Sequence, residues 1–189
     1  MKLWDVLTGR SKPAKNNLDE LFALPTAAVT LQTAMNFTPT GKGSVCFRAA
    51  EGAAFAQTQK DIVDLLDADD DPDVEVSTDS FGFTWLLAQQ PPDDLPKLVA
   101  DLHAVNTSLE TQGFAPSLLC SLVAFGDPTG RRLGIVYLYK QGTFYPFAPT
   151  GSKSRDNLLE INIRDLLKDD LHIETQLNRW MPVWGAPGL

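Results

Sequence analysis

Apolar residues recur at helical spacing in three stretches of the chain. Phe55, Ile62 and Leu66 predict an amphipathic helix over residues 53–67. A second helix follows residues 93–94, where an aspartate can cap it, and Gly113 can end it. Its apolar stripe consists of Leu95, Leu98, Val99, Leu102, Val105 and Leu109. A third helix is predicted over residues 157–168.

Two shorter helices are predicted near the start of the chain. Residues 2–8 have an apolar face that includes Trp4, and Gly9 ends this segment. Asn17 can cap a helix over residues 18–24. Pro25 is expected to stop that helix, because the residue before a proline disfavours helical backbone.

Alternating or continuous apolar runs predict the strands. They cover residues 27–33, 44–49, 74–78, 81–87, 118–125, 133–139, 144–147 and 171–174. Turn-forming residues predict a loop over 36–43. The run at 118–125 is apolar on both faces, which is typical of a central strand. Pro146 places the short run at 144–147 on a sheet edge, because proline cannot donate a ladder hydrogen bond.

Read in order, these elements repeat a strand–strand–helix arrangement about three times. Hairpins separated by helices predict an α+β fold, with a largely antiparallel twisted sheet and helices packed on it. This layout is similar to that of secretion chaperones. We expect one α+β domain over residues 16–175. A basic amphipathic arm and linker (1–15) precede it, and an aromatic, proline-rich tail (176–189) packs on it.

Charge is divided unevenly along the 189-residue chain. The net charge is −8, but residues 1–15 carry +3, so the remainder carries −11. A strongly acidic body argues against nucleic acid as a partner, because phosphate binding needs clustered Lys and Arg. Cys46 and Cys120 each lie in an apolar run and are expected to pack as small hydrophobes.

The start of the chain does not have the apolar core of an export signal. No segment approaches the roughly 18 uncharged apolar residues that span a bilayer. We therefore expect a cytoplasmic location, with peripheral association at the inner face of the membrane.

The motifs of common metal, phosphate and catalytic sites are absent. The run Gly41–Ser44 lacks the remaining glycine of a phosphate loop and leads into a strand. Asp67, Asp69 and Asp71 begin like a calcium loop, but Pro72 stands where its glycine belongs. Two histidines and two separated cysteines form no zinc pattern. We therefore expect no metal, no cofactor and no catalytic residues.

Three groups of residues remain as candidate binding features. His103, Asn106 and Tyr145 are a candidate polar site, although a hydrogen-bonded structural histidine is the favoured interpretation. An aromatic stretch (Tyr137, Tyr139, Phe144, Tyr145 and Phe147) can bind a peptide or pack across strands, and packing is favoured. The N-terminal arm can contact an anionic membrane, a partner or its own domain through Leu3, Trp4, Leu7, Arg10, Lys12 and Lys15.

Several short stretches, taken together and in order, resemble the PspA-associated protein family PspAB. They are FALP (22–25), GSVCFRA (43–49), PPDDL (91–95), DLHAVNT (101–107), YLYK (137–140), GTFYPF (142–147) and RWMPVWG (179–185). The resemblance implies an accessory role in the phage-shock, envelope-stress system and association with the membrane-remodelling, coiled-coil protein PspA or with its regulators. It supplies no catalytic residues.

Three functional hypotheses follow. The first is a non-enzymatic adaptor that binds PspA near the membrane. The second is a chaperone-like peptide binder, which requires an exposed apolar groove. The third is an enzyme with a site around His103, Asn106 and Tyr145, which requires these side chains to lie within about one water-bridged hydrogen bond of each other or around a shared pocket. The oligomeric state is left open.

Overall fold

A computed structural model describes residues 17–68, 70–151 and 153–189 of the chain. Its helices are α1 (Leu24–Met35), α2 (Ala53–Leu66), α3 (Leu95–Thr111) and α4 (Asn157–Leu167). Its strands are β1 (Thr38–Phe47), β2 (Glu75–Thr78), β3 (Thr84–Gln89), β4 (Leu118–Gly126), β5 (Arg132–Leu138) and β6 (Thr143–Phe147). Short 3-10 turns cover Leu18–Ala23, Ala115–Ser117 and Leu177–Arg179.

The six strands form one open antiparallel sheet in the order β2-β3-β1-β4-β5-β6. Strands β1 and β4 lie side by side at its centre, and β4 is buried along almost its whole length. The predicted α+β fold with an antiparallel sheet is therefore confirmed. The central position predicted for the apolar run at 118–125 is confirmed as well.

The strand predicted over residues 27–33 is wrong, because these residues belong to helix α1. Leu24, Ala27, Ala28 and Leu31 are all buried, which is the one-sided spacing of a helix. Pro25 does not stop this helix but lies in its first turn, where a proline is tolerated because its missing N–H has no intrahelical partner. The preceding helix over 18–24 is instead a 3-10 turn, and Asn17 makes no side-chain cap hydrogen bond to it.

The loop predicted over residues 36–43 is also wrong for most of its length. Strand β1 already begins at Thr38 and continues through a register shift between Pro39 and Gly43. Gly41 makes this possible with φ +80°, and a Cβ atom there would lie 2.1 Å from the carbonyl oxygen of Gln90. The run that failed as a phosphate loop is therefore part of the sheet.

Two further strand predictions need correction. The strand predicted over 81–87 is shifted, since β3 starts at Thr84 and Phe81 lies in the preceding turn. Residues 171–174 form only an isolated parallel bridge between Ile173 and Phe144. In contrast, α2 and α4 end within one residue of the predicted bounds, and the Asp94 side chain caps α3 by accepting the Lys97 N–H.

Apolar layers cover both faces of the sheet. On one face, residues of all four helices pack against alternate strand residues such as Val45 and Phe47. On the other face, the intervening residues, such as Cys46, form a smaller cluster with Trp180 and Ala186 from the tail. We call these the helix face and the tail face. The sheet is thus enclosed by helices on one side and by residues 176–189 on the other.

Candidate functional site

His103 joins α3 to the 3-10 turn that precedes α1. Its Nε2 atom lies 3.2 Å from Oδ1 of Asp19, and its Nδ1 atom lies 3.4 Å from Oγ1 of Thr107. Its ring lies 4.8 Å from that of Phe22, measured between centroids. These contacts hold two helical elements together, which is the structural role favoured from the sequence.

Asn106 and Tyr145 do not join His103 in one site. Asn106 is buried under the helix face, where its Nδ2 donates to Leu102 O at 2.7 Å and to Ser121 Oγ at 2.8 Å. Tyr145 points to the tail face, where its hydroxyl donates to Met181 O at 2.6 Å. The sheet itself separates the two side chains, so the three candidate residues share no site.

The aromatic stretch is buried on both faces. Tyr137, Tyr139 and Phe144 belong to the helix-face core, and Tyr145 and Phe147 belong to the tail-face cluster. None of the five is more than 2% exposed. They form no open aromatic groove, which counts against a peptide-binding sheet of the chaperone kind.

The tail closes its face of the sheet with specific contacts. Trp180 stacks on Tyr145 with 6.0 Å between ring centroids, and Trp184 meets Phe147 edge-on at 5.0 Å. The guanidinium of Arg155 donates from Nε to Glu160 and from Nη1 to Trp180 O at 2.9 Å. This ion pair is largely buried and anchors the start of the tail.

The acidic run after α2 is used to build turns. The Asp67 carboxylate accepts the N–H of Val74 at 2.8 Å, and Asp71 pairs with Lys97 and accepts from Gln90. Among the described residues, no three His, Cys, Asp or Glu side chains come close enough together to hold a metal ion.

The two edges of the sheet differ in how far other residues cover them. At β6, the N–H of Phe144 donates to His172 O at 2.9 Å, and the N–H of Glu174 donates to Phe144 O at 2.7 Å. These bonds place residues 172–174 along that edge. At the other edge, all four residues of β2 are exposed. The β2 edge of the sheet is therefore accessible at the surface of the protein.

Asp79 shapes the turn that follows β2. Its carboxylate accepts the N–H groups of Phe81 at 2.9 Å and Phe83 at 3.0 Å, and Trp85 Nε1 at 2.9 Å. Burial alone would raise the pKa of Asp79, but these hydrogen bonds outweigh it and lower the pKa. The turn presents Phe81 with 74% of its surface exposed, and Val76 beside it in β2 is 41% exposed.

Negative charge is concentrated in the segment that contains this edge. Residues 61–101 hold twelve carboxylates and one basic residue, Lys97, for a net charge of −11. Residues 17–60 and 102–189 each balance to zero. We call residues 70–81 the acidic edge; they hold five carboxylates, no basic residue, and the exposed Val76 and Phe81.

The acidic edge was not among the candidate surfaces predicted from the sequence. The prediction located the negative charge in residues 16–189 as a whole, although a count over shorter segments shows the concentration directly. The edge position of β2 was not predicted, because strand order depends on pairing between segments that are far apart in the chain. The six arm residues proposed from the sequence, from Leu3 to Lys15, lie outside the described residues.

Within residues 17–68, 70–151 and 153–189, no helix has both the length and the apolar character needed to cross a bilayer. A family model described as PspAB, PspA associated protein B, matches residues 1–188. No curated protein and no solved structure matches the chain.

Proposed function

Because the chain belongs to the PspA associated protein B family, and so has an accessory role in the PspA system, we propose that it is a non-enzymatic adaptor that binds PspA directly. The family match over residues 1–188 is the observation that carries this proposal. The burial of the aromatic stretch and the separation of Asn106 from Tyr145 support it. The first counts against the chaperone hypothesis, which relied on exposed aromatic residues. The second counts against the enzyme hypothesis, which relied on a shared polar site.

We assign the PspA contact to the acidic edge. Its partner is a basic, amphipathic helix of the PspA coiled coil, with Lys and Arg facing the carboxylates. Phe81 and Val76 supply the apolar anchors, because exposed aromatic residues inside a polar rim are typical of binding hot spots. Charge complementarity favours a basic helix as the partner, since residues 61–101 carry the whole net charge of −11 that residues 16–189 have.

The N-terminal arm supplies the second part of the proposal. Its apolar residues Leu3, Trp4 and Leu7 enter the membrane interface, while Arg10, Lys12 and Lys15 meet anionic headgroups. The arm holds the protein at the inner face of the membrane, in the cytoplasm, and the acidic edge faces PspA. The helix predicted over residues 2–8 would extend only about 10 Å, so membrane binding is weak and depends on the PspA contact for avidity.

Binding to purified PspA tests the proposal. We expect Phe81→Ser to weaken the affinity at least about tenfold, and a combined Asp70→Asn, Asp73→Asn, Glu75→Gln variant to weaken it and reduce its salt dependence. Leu158→Ser is the matched control, because Leu158 is 72% exposed on α4, outside the acidic edge. Isothermal titration calorimetry provides the affinities, and circular dichroism checks folding.

Two results would count against this proposal. If wild-type protein does not bind PspA at micromolar concentrations, with or without anionic liposomes, the adaptor function is wrong. If PspA binds but Phe81→Ser and Leu158→Ser behave alike, the contact lies elsewhere on the protein.

A further inference from the structure

The only two cysteines of the chain lie directly opposite each other in the sheet. Cys46 of β1 pairs in register with Cys120 of β4, at the centre of the six strands. Both side chains point to the tail face, and both thiols are free. The sequence did not indicate this pairing, because residues 46 and 120 are separated by two helices and two strands.

The geometry of the pair suits a covalent bond. Opposite residues on antiparallel strands have Cα atoms about 4.5–5.5 Å apart, which falls within the span that a disulfide bridges. The two side chains share one face of the sheet and belong to the same buried cluster. A disulfide therefore requires no shift of register between the two central strands.

We propose that Cys46 and Cys120 are an oxidisable dithiol, which closes to an intramolecular disulfide by exchange with a low-molecular-weight disulfide such as glutathione disulfide. One protein thiolate attacks a sulfur of the small disulfide, forms a mixed disulfide and releases one small thiolate. The second cysteine then attacks the protein sulfur of the mixed disulfide and releases the other small thiol. The two cysteine protons pass to the two released thiolates, so the protein loses two hydrogens and the small disulfide gains them.

The two cysteines have different roles in this exchange. Cys120 is 8% exposed and Cys46 only 3%, so Cys120 is the more accessible to a reagent. The adjacent Cys120 thiol, together with burial, raises the pKa of Cys46 above its ordinary value. Cys120 is therefore the attacking thiol, and Cys46 resolves the mixed disulfide.

Access to the thiols depends on the apolar layer of the tail face. Cys46 and Cys120 belong to the same buried cluster as Trp85, Tyr145 and Trp180. The tail part of this cluster is held by the stacking of Trp180 on Tyr145 and by the bond from the Tyr145 hydroxyl to Met181 O. A reagent reaches Cys120 when this layer opens, so the opening of the tail sets the rate of oxidation.

The disulfide would join the two ends of the segment between residues 46 and 120, which contains α2, the acidic edge, β3 and α3. A bond between Cys46 and Cys120 restricts the unfolded chain over this whole segment. Typical disulfide stabilisation predicts that oxidation raises the Tm by roughly 5–15 °C. The inference does not depend on PspA binding.

The test uses the full chain, first reduced and then incubated with glutathione disulfide at neutral pH. Intact mass spectrometry should show a loss of about 2 Da, and peptide mapping should show a link between Cys46 and Cys120. Cys46→Ala should instead accumulate one glutathionyl group on Cys120. Cys120→Ala should react more slowly than Cys46→Ala, because the remaining thiol, Cys46, is the less exposed of the two.

Two variants of the tail face test how far this layer limits access of the reagent to the thiols, and both keep the two cysteines. Tyr145→Phe removes only the hydroxyl that holds Met181, and Trp180→Ala removes the stacked ring. Both should speed oxidation of the folded protein. The milder Tyr145→Phe variant keeps the test valid if Trp180→Ala fails to fold.

Two outcomes would overturn the inference. One is a folded wild-type protein that keeps its reduced mass under conditions in which the denatured chain is oxidised and in which Tyr145→Phe is also unreactive. The other is a wild-type protein that gains glutathione on both cysteines without forming the intramolecular link.

Discussion

Single carboxylates determine local structure where the chain turns sharply. Asp79 satisfies three donors with one side chain: the N–H groups of Phe81 and Phe83, and the indole of Trp85. A neighbouring carboxylate, Asp73, is exposed and has no comparable set of bonds among the described residues. Two aspartates of the same acidic segment therefore have different roles, and burial with hydrogen bonding distinguishes them.

We expect Asp79→Ala to lower the free energy of unfolding by roughly 1–3 kcal/mol, because it leaves the Trp85 indole and the turn N–H groups without their acceptor. Since the folded-state pKa of Asp79 is lowered, its stabilisation is present above the ordinary carboxyl pKa of 3.8 and is lost as the pH falls through the folded-state value. Urea unfolding at neutral and acidic pH measures both effects.

Asp73→Ala is the matched control for this prediction. It should change stability by less than about 0.5 kcal/mol, as is usual for an exposed substitution. A stability difference between wild-type protein and Asp79→Ala that stays constant down to strongly acidic pH would contradict the assigned role of the carboxylate.

At the scale of elements, the tail has no regular strand or α-helix, yet it completes the structure of the sheet. Leu189 Cδ1 lies 3.5 Å from the position that a Cβ atom would take at Gly134, and a Cβ atom at Gly188 would lie 3.0 Å from Leu87. With Trp180 and Trp184 over β6, the tail thus extends from the β6 side of the sheet to β3. The tail thus covers this face of the sheet, as the four helices cover the other.

We expect Trp180→Ala to reduce the free energy of unfolding by about 3–5 kcal/mol, because it removes a buried ring from a packed cluster. Trp180 also donates from Nε1 to Glu174 O at 3.0 Å, and this bond would be lost. Chemical denaturation measures the change. Met181→Ala is the control, since Met181 is 60% exposed and its carbonyl, which accepts from Tyr145, is retained. Equal losses for the two variants would show that the ring does not stabilise the tail.

At the scale of the whole molecule, charge is separated along the chain. Residues 1–15 carry +3, residues 61–101 carry −11, and the described segments on either side of 61–101 are balanced. A basic arm and an acidic edge on one protein favour different partners. We interpret the arm as the membrane contact and the edge as the protein contact, and the two can be tested separately.

Co-sedimentation with anionic vesicles should detect the full chain at low salt and lose it when residues 1–15 are deleted. At roughly 1 kcal/mol for each basic residue near an anionic surface, replacing Arg10, Lys12 and Lys15 by serine should weaken binding about a hundredfold. Binding should also fall at high salt, because screening shortens the range of the attraction. Sedimentation with purely zwitterionic vesicles provides the baseline.

The control for the arm is Lys140→Ser, which removes an exposed charge from the domain instead of the arm. It should leave sedimentation unchanged. Binding that survives deletion of residues 1–15 would place the membrane contact on the domain and contradict the role proposed for the arm.

The helices α2, α3 and α4 and the strand β4 were predictable because their signals are local. An apolar stripe at helical spacing, or a run that is apolar on both faces, is contained within a few turns or one strand. The same local patterns were ambiguous for α1, where Ala27, Val29 and Leu31 also alternate as a strand would. Contact of Ala27, Ala28 and Leu31 with the helix-face core decided in favour of the helix.

The sequence by itself determined the α+β class, the family and the charge on each segment, because composition, order and periodicity are properties of the chain alone. Only the tertiary structure decided which residues meet. Among the described residues, the strand order placed β2 at an exposed edge, the register placed Cys46 opposite Cys120, and the sheet separated Asn106 from Tyr145. These relations join residues far apart in the chain, and they are set by packing and hydrogen-bond register, which no local pattern specifies.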